Sequence, residues 1–156
     1  MIDATAKLIE MVGSGRKLDA SIISAYTDVV AQYGTAEDAW ELYWLFVEDP
    51  DHYVRGLLLG PIMRCGDVAL AQDMYERYVR NQTSPEHIPD GVLHVLGYLG
   101  YVEAAADLTA WVKGPYGAAS VDACLGLVHL PCESFRERLA TELEKEVNQN
   151  LFNEFL

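Results

Sequence analysis

Basic side chains are scarce. Eleven Lys and Arg stand against 24 Asp and Glu, so the 156-residue chain carries a formal net charge of −13. A surface that grips nucleic acid by its phosphates needs clustered Lys and Arg, and this composition argues against direct nucleic-acid binding. The same shortage argues against docking on an anionic membrane surface. No run of about 18 apolar residues exists, which removes the signature of a spanning helix. Cysteine is sparse and odd in number, at Cys65, Cys124 and Cys132. A small secreted disulfide scaffold is denser in cysteine and usually even-numbered. Met1 to Val12 carries Asp3, Lys7 and Glu10 among its apolar residues. It therefore lacks the basic start and continuous apolar run of a signal peptide. The expectation is a cytoplasmic protein with reduced thiols.

Motifs of known chemistry are missing too. There is no His-Glu-x-x-His, no Gly-x-Ser-x-Gly and no glycine-rich loop between a strand and a helix. Cys124, His129 and Cys132 have a Cys-x4-His-x2-Cys spacing, one ligand short of a closed zinc site. Core or cap roles explain these residues better. Cys65 and His94 could in principle be nucleophile and base, but no orienting carboxylate or oxyanion donor can be named beside them. No enzyme activity, metal or cofactor is therefore expected.

What the chain does have is helical periodicity. Apolar residues make up 51% of it and recur at three- and four-residue spacing almost throughout. Asp19, Thr35, Asp51 and Asp67 stand where each can cap the helix that follows. Thr35 with Asp38 resembles a capping box, with Asp in place of Glu. The breaks are evenly placed: Gly34, Gly66, Gly100 and Pro131 lie 32, 34 and 31 residues apart. Aligning on them puts Val30, Ile62, Leu96 and Leu127 in one column. Leu42, Met74, Leu108 and Leu139 form a second, and Phe46, Tyr78, Val112 and Leu143 a third. Such periodicity predicts stacked helix pairs, none able to bury its apolar face alone.

The fold expected is all-α, a short α-solenoid of about nine antiparallel helices in roughly four pairs, forming one domain over 1–156. Residues 1–15 would be a cap helix and loop, and 19–148 the pairs. The pairs are 19–33 with 36–48, 53–65 with 68–81, 90–99 with 102–113, and 118–130 with 133–148. The apolar tail 149–156 would dock on the last pair. An irregular bundle of similar helices is the plainer alternative.

One stretch resembles a known family. Asp49-Pro50-Asp51-His52-Tyr53-Val54-Arg55, then Leu57 to Leu59 and Gly66-Asp67, is similar to a HEAT-type repeat. In that family an Asp-Pro turn leads to Val-Arg, and a Gly-Asp turn precedes the second helix. The resemblance covers about a quarter of the chain. It implies a curved helical array and a binding role, and a TPR-like array is the runner-up.

The charge is unevenly placed. Between Lys17 and Arg55 stand eight acids and no Lys or Arg. The helix over 36–48 carries Glu37, Glu41 and Glu48 on one face with Asp38 beside it. Trp40, Tyr43, Trp44 and Val47 make a second stripe, read first as core. Acids without neighbouring cations repel one another in the free protein and become favourable against a basic partner. Glu37, Asp38, Glu41, Glu48, Asp49 and Asp51 are thus the candidate partner-binding residues. The leading expectation is an immunity-type inhibitor of a basic protein such as a toxin nuclease. An adaptor or assembly factor for a cytoplasmic complex is the second class. The third is a small-molecule binder with an inter-helix cavity lined by Tyr26, Trp40, Trp44, Tyr98 or Trp111. Paired acids that only solubilise the surface are the plain alternative to all three. The sequence does not give the oligomeric state.

Overall fold

Helix breaks and caps, rather than strands, divide the chain. The computed structural model describes residues 1–14, 19–48, 51–112 and 117–131. Among these, eight α-helices follow one another: α1 Asp3–Gly13, α2 Ala20–Tyr33, α3 Ala36–Glu48, α4 His52–Cys65, α5 Val68–Tyr78, α6 Val92–Tyr98, α7 Ala105–Val112 and α8 Ala118–His129. The fold is all-α, and no strand occurs among the described residues. The expected helix 133–148, the tail 149–156, Asp49 and Cys132 lie outside the described residues.

Local chemistry sets the boundaries. Asp19 accepts from Ser21 N, Asp51 from Tyr53 N and Val54 N, and Asp67 from Leu70 N, each satisfying free amides of a first turn. Gly34 and Gly66 close α2 and α4 with almost the same backbone, φ −72°, ψ 170° and φ −70°, ψ 171°. Each donates its N–H four residues back, to Val30 O and Ile62 O. Helix α5 stops short of the expected Asn81 because Asn81 itself turns into the left-handed region at φ 65°, which Asn tolerates better than most residues. The segment 102–113 opens with a 3-10 turn, Val102–Ala104, before α7 proper.

The repeat columns become the core. Val30, Ile62, Leu96 and Leu127 are all fully buried, as are Leu42, Met74 and Leu108. Helices α2, α4, α6 and α8 follow one another in contact, and α3, α5 and α7 lie against α4, α6 and α8. The close pairs are therefore α1–α2, α3–α4, α5–α6 and α7–α8, one helix out of phase with the expected pairing. The physical reason is the connector. Gly34, Gly66 and Asp67 are all in extended backbone, and the helices joined at Gly34-Thr35 and Gly66-Asp67 share few close approaches.

Side chains tie the repeats together where backbones do not. Tyr43 Oη on α3 donates to Asp73 Oδ2 on α5 at 2.6 Å. One repeat on, Tyr75 Oη on α5 donates to Asp107 Oδ2 on α7, also at 2.6 Å. The tyrosines are 32 residues apart and the aspartates 34, the intervals of the glycine marks. On the other layer the Cys65 thiol donates to Val30 O at 3.2 Å, and Arg64 Nη1 reaches Tyr98 Oη at 3.5 Å.

Candidate partner-binding face

The acidity divides between the two layers. Helices α3, α5 and α7 hold Glu37, Asp38, Glu41, Glu48, Asp73, Glu76 and Asp107 against the single base Arg77. Helices α2, α4, α6 and α8 hold Asp28 and Asp122 against Arg55 and Arg64. One layer is strongly negative and the other is balanced.

Helix α3 is the centre of the negative layer. Its inner face is Ala39, Leu42, Tyr43 and Phe46, all buried. Its outer face is Glu37, Glu41, Trp44 and Glu48, all exposed. Their spacing of four, three and four residues makes a single stripe along the helix. The expected aromatic stripe therefore splits. Tyr43 goes inward, while Trp44 stays 42% exposed among the acids. Trp40 and Val47 are partly buried at the margins. The three rings touch: Tyr43 to Trp44 is 5.4 Å between centroids, Trp40 to Tyr43 5.8 Å and Trp40 to Trp44 6.2 Å.

One cation reaches this face from α5. The Arg77 guanidinium lies 5.5 Å from the Trp44 ring centre. Its Nε donates to Tyr43 Oη at 3.3 Å, and its Nη2 is 3.5 Å from Asp73 Oδ2. Arg77 is thus engaged with an acid, a phenol and a ring rather than with the α3 glutamates. Burial and the bond to Asp73 push the Tyr43 phenol well above its usual range. The bond to Asp107, with burial, pushes Tyr75 up to about 12. Both stay protonated donors near neutrality.

The six expected partner-binding residues do not form one set. Glu37, Glu41 and Glu48 share the exposed stripe, and Glu37 Oε2 accepts from the Met1 amino group at 2.6 Å. Asp51 is exposed and its carboxylate caps α4. Asp49 lies outside the described residues. Asp38 must be removed: it is fully buried. Oδ1 accepts from Ile2 N at 2.8 Å and Thr5 Oγ1 at 2.6 Å, and Oδ2 from Thr35 N at 3.0 Å and Thr35 Oγ1 at 2.8 Å. Burial opposes its charge, yet four donors outweigh that and hold its pKa at about 2. Half of the expected capping box is realised, with Asp38 reaching back to Thr35 N. The carboxylate also anchors α1 on α3.

The chemical alternatives separate as well. Cys65 points at the Val30 carbonyl, and burial raises its thiol pKa. His94 instead stacks on His129. No group of three metal-ligating side chains occurs among the described residues. A cavity of about 240 Å³ is lined by Glu86, Asp90 and Asp122 with Ile88, Leu93 and others, and one of about 320 Å³ by His52, Arg55, Tyr78 and the same loop. None of Tyr26, Trp40, Trp44, Tyr98 and Trp111 lines either cavity. No described helix is long and apolar enough to cross a membrane. Comparison with known proteins finds no matching family model, no similar curated protein and no similar solved structure.

Proposed function

We propose that this chain is a non-enzymatic protein-binding module whose α3 face receives a basic protein. The observation that carries the reading is the stripe Glu37, Glu41, Trp44 and Glu48, three carboxylates around an exposed indole on a helix with no cation of its own. The Met1 amino group pairs with Glu37, while Glu41 and Glu48 make no ion pair among the described residues and leave the face negative when the protein is free. A cationic surface complements that charge, and the summed charge of the layer steers the encounter. Trp44 supplies the apolar contact, since partly buried tryptophans are frequent anchors of interfaces. The partner whose chemistry fits best is a toxic nuclease, which must carry a basic groove to hold nucleic acid. An immunity-type inhibitor would close that groove with this face. The HEAT-like reading of the scaffold accords with such a role.

Co-expression with basic nucleases encoded beside the gene tests the proposal. The chain should protect cells, and Glu41→Lys with Glu48→Lys should abolish protection while helicity is retained. Protection that survives both reversals would rule the face out. An adaptor role would show instead as recovery of a housekeeping complex from the native host, with no toxin gene adjacent.

A further inference from the structure

Trp44 already holds one guanidinium of the chain itself. Arg77 lies 5.5 Å from the centre of its ring. The same guanidinium stands 3.5 Å from Asp73 Oδ2 and donates through Nε to Tyr43 Oη at 3.3 Å. A ring, a carboxylate and a hydroxyl thus hold one arginine head together. Arg77 comes from α5 and takes up only part of the indole, which stays 42% exposed.

The repeat marks a vacant acceptor beside that exposed indole. Glu41 stands 32 residues before Asp73, as Asp73 stands 34 before Asp107. Asp73 and Asp107 each accept a tyrosine hydroxyl from the preceding helix of their layer. Helix α1, which packs on α3, contains no tyrosine. Glu41 is exposed and makes no hydrogen bond or ion pair among the described residues. Glu48 is open in the same way. Glu41 and Glu48 stand three residues before Trp44 and four after it, so the helical register puts both on the indole's side of α3.

We propose that the α3 face selects arginine over lysine in its basic partner, seating one guanidinium on the open part of the Trp44 indole with Glu41 or Glu48 as its carboxylate. The inference rests on the basic-protein reading of this face and adds the identity of the cation. Arginine and lysine carry the same charge, so long-range attraction to the carboxylates does not separate them. Shape does. A guanidinium is planar and weakly hydrated, and it can lie on a ring while its edge donates two parallel bonds to a carboxylate. An ammonium is a compact, strongly hydrated charge that lacks this fork. Arg77 does not reach Glu41 or Glu48 itself, because Asp73 and Tyr43 engage its head.

The test is binding of the full chain to a labelled peptide of alternating Arg and Ser, and to its alternating Lys and Ser counterpart, by fluorescence anisotropy at equal ionic strength. The Arg peptide should bind at least about threefold tighter, the size of an exposed cation–ring contact. Trp44→Leu should bring the two affinities together, and Trp44→Phe, which keeps a ring, should retain part of the difference. In the parent chain the Trp44 indole N–H resonance should move further with the Arg peptide than with the Lys peptide at equal saturation, a readout that no folding defect of a variant can affect. Equal affinities, a preference that survives Trp44→Leu, or equal movement of the indole resonance would overturn the proposal. If both peptides then still bind more weakly to Glu41→Gln with Glu48→Gln, the basic-partner face stands without the arginine preference. Binding of neither peptide would overturn both.

Discussion

Tyr43 Oη donates to Asp73 Oδ2 across thirty residues of sequence, and the same bond recurs one repeat later between Tyr75 and Asp107. The repetition shows that the period is structural and not only a rhythm of apolar residues. It also fixes where α3 stands relative to α5, and so where its acidic stripe points.

Tyr43→Phe should therefore destabilise the fold. The phenol is lost while its acceptor remains half-buried, a cost of about 1–2 kcal/mol for a bond to a charged group. Tyr75→Phe should cost a similar amount. The two bonds share no residue, so the double variant should be close to additive. Urea unfolding followed by circular dichroism measures all three, and a neutral Tyr43→Phe would show that the bridge does not hold the layer.

Asp38 should govern the acid limit. Its pKa is held at about 2 in the fold, against an ordinary 3.8. Because the folded value is the lower one, its contribution is complete above about pH 4 and is lost as pH falls toward about 2. That contribution is on the order of 2 kcal/mol. Asp38→Asn should lower stability at neutral pH and flatten the profile over that acid range. An unchanged profile would remove Asp38 from this role.

Glycines in different surroundings should behave oppositely. Gly97→Ala and Gly126→Ala force a methyl group into a facing backbone and should cost several kcal/mol, about 3 or more. Gly56→Ala meets nothing within 4 Å and should stabilise α4 by about 0.5–1 kcal/mol. Thermal melts of the three variants check this, and equal effects would contradict the close α6–α8 contact.

Much of this architecture is legible in the sequence. The glycine marks, the Asp caps and the buried columns Val30, Ile62, Leu96 and Leu127 all follow from local chemistry, which short segments encode. Pairing phase is not legible, because it depends on how Gly34-Thr35 turns the chain, and a two-residue connector suits more than one direction. Asp38 is misplaced by sequence reasoning for a similar reason. Its donors Ile2 and Thr5 are more than thirty residues away, so nothing beside it in sequence marks it as buried. Trp44 and Tyr43 are adjacent and chemically alike, yet only the register of α3 against α5 decides which faces out. The spacing of Tyr43 with Tyr75 and of Asp73 with Asp107 is a readable signal of that register.

Whether the α3 stripe meets a basic protein is tested most directly by site-specific photo-cross-linking in the native host. The reactive side chain is placed in turn at Glu41, at Glu48 and at Ala25, which is exposed on α2. The α3 positions should capture one basic protein, added salt should reduce the yield, and position 25 should not capture it. Capture of an acidic or neutral protein from the α3 positions, or of the partner from position 25 alone, would contradict the proposed face.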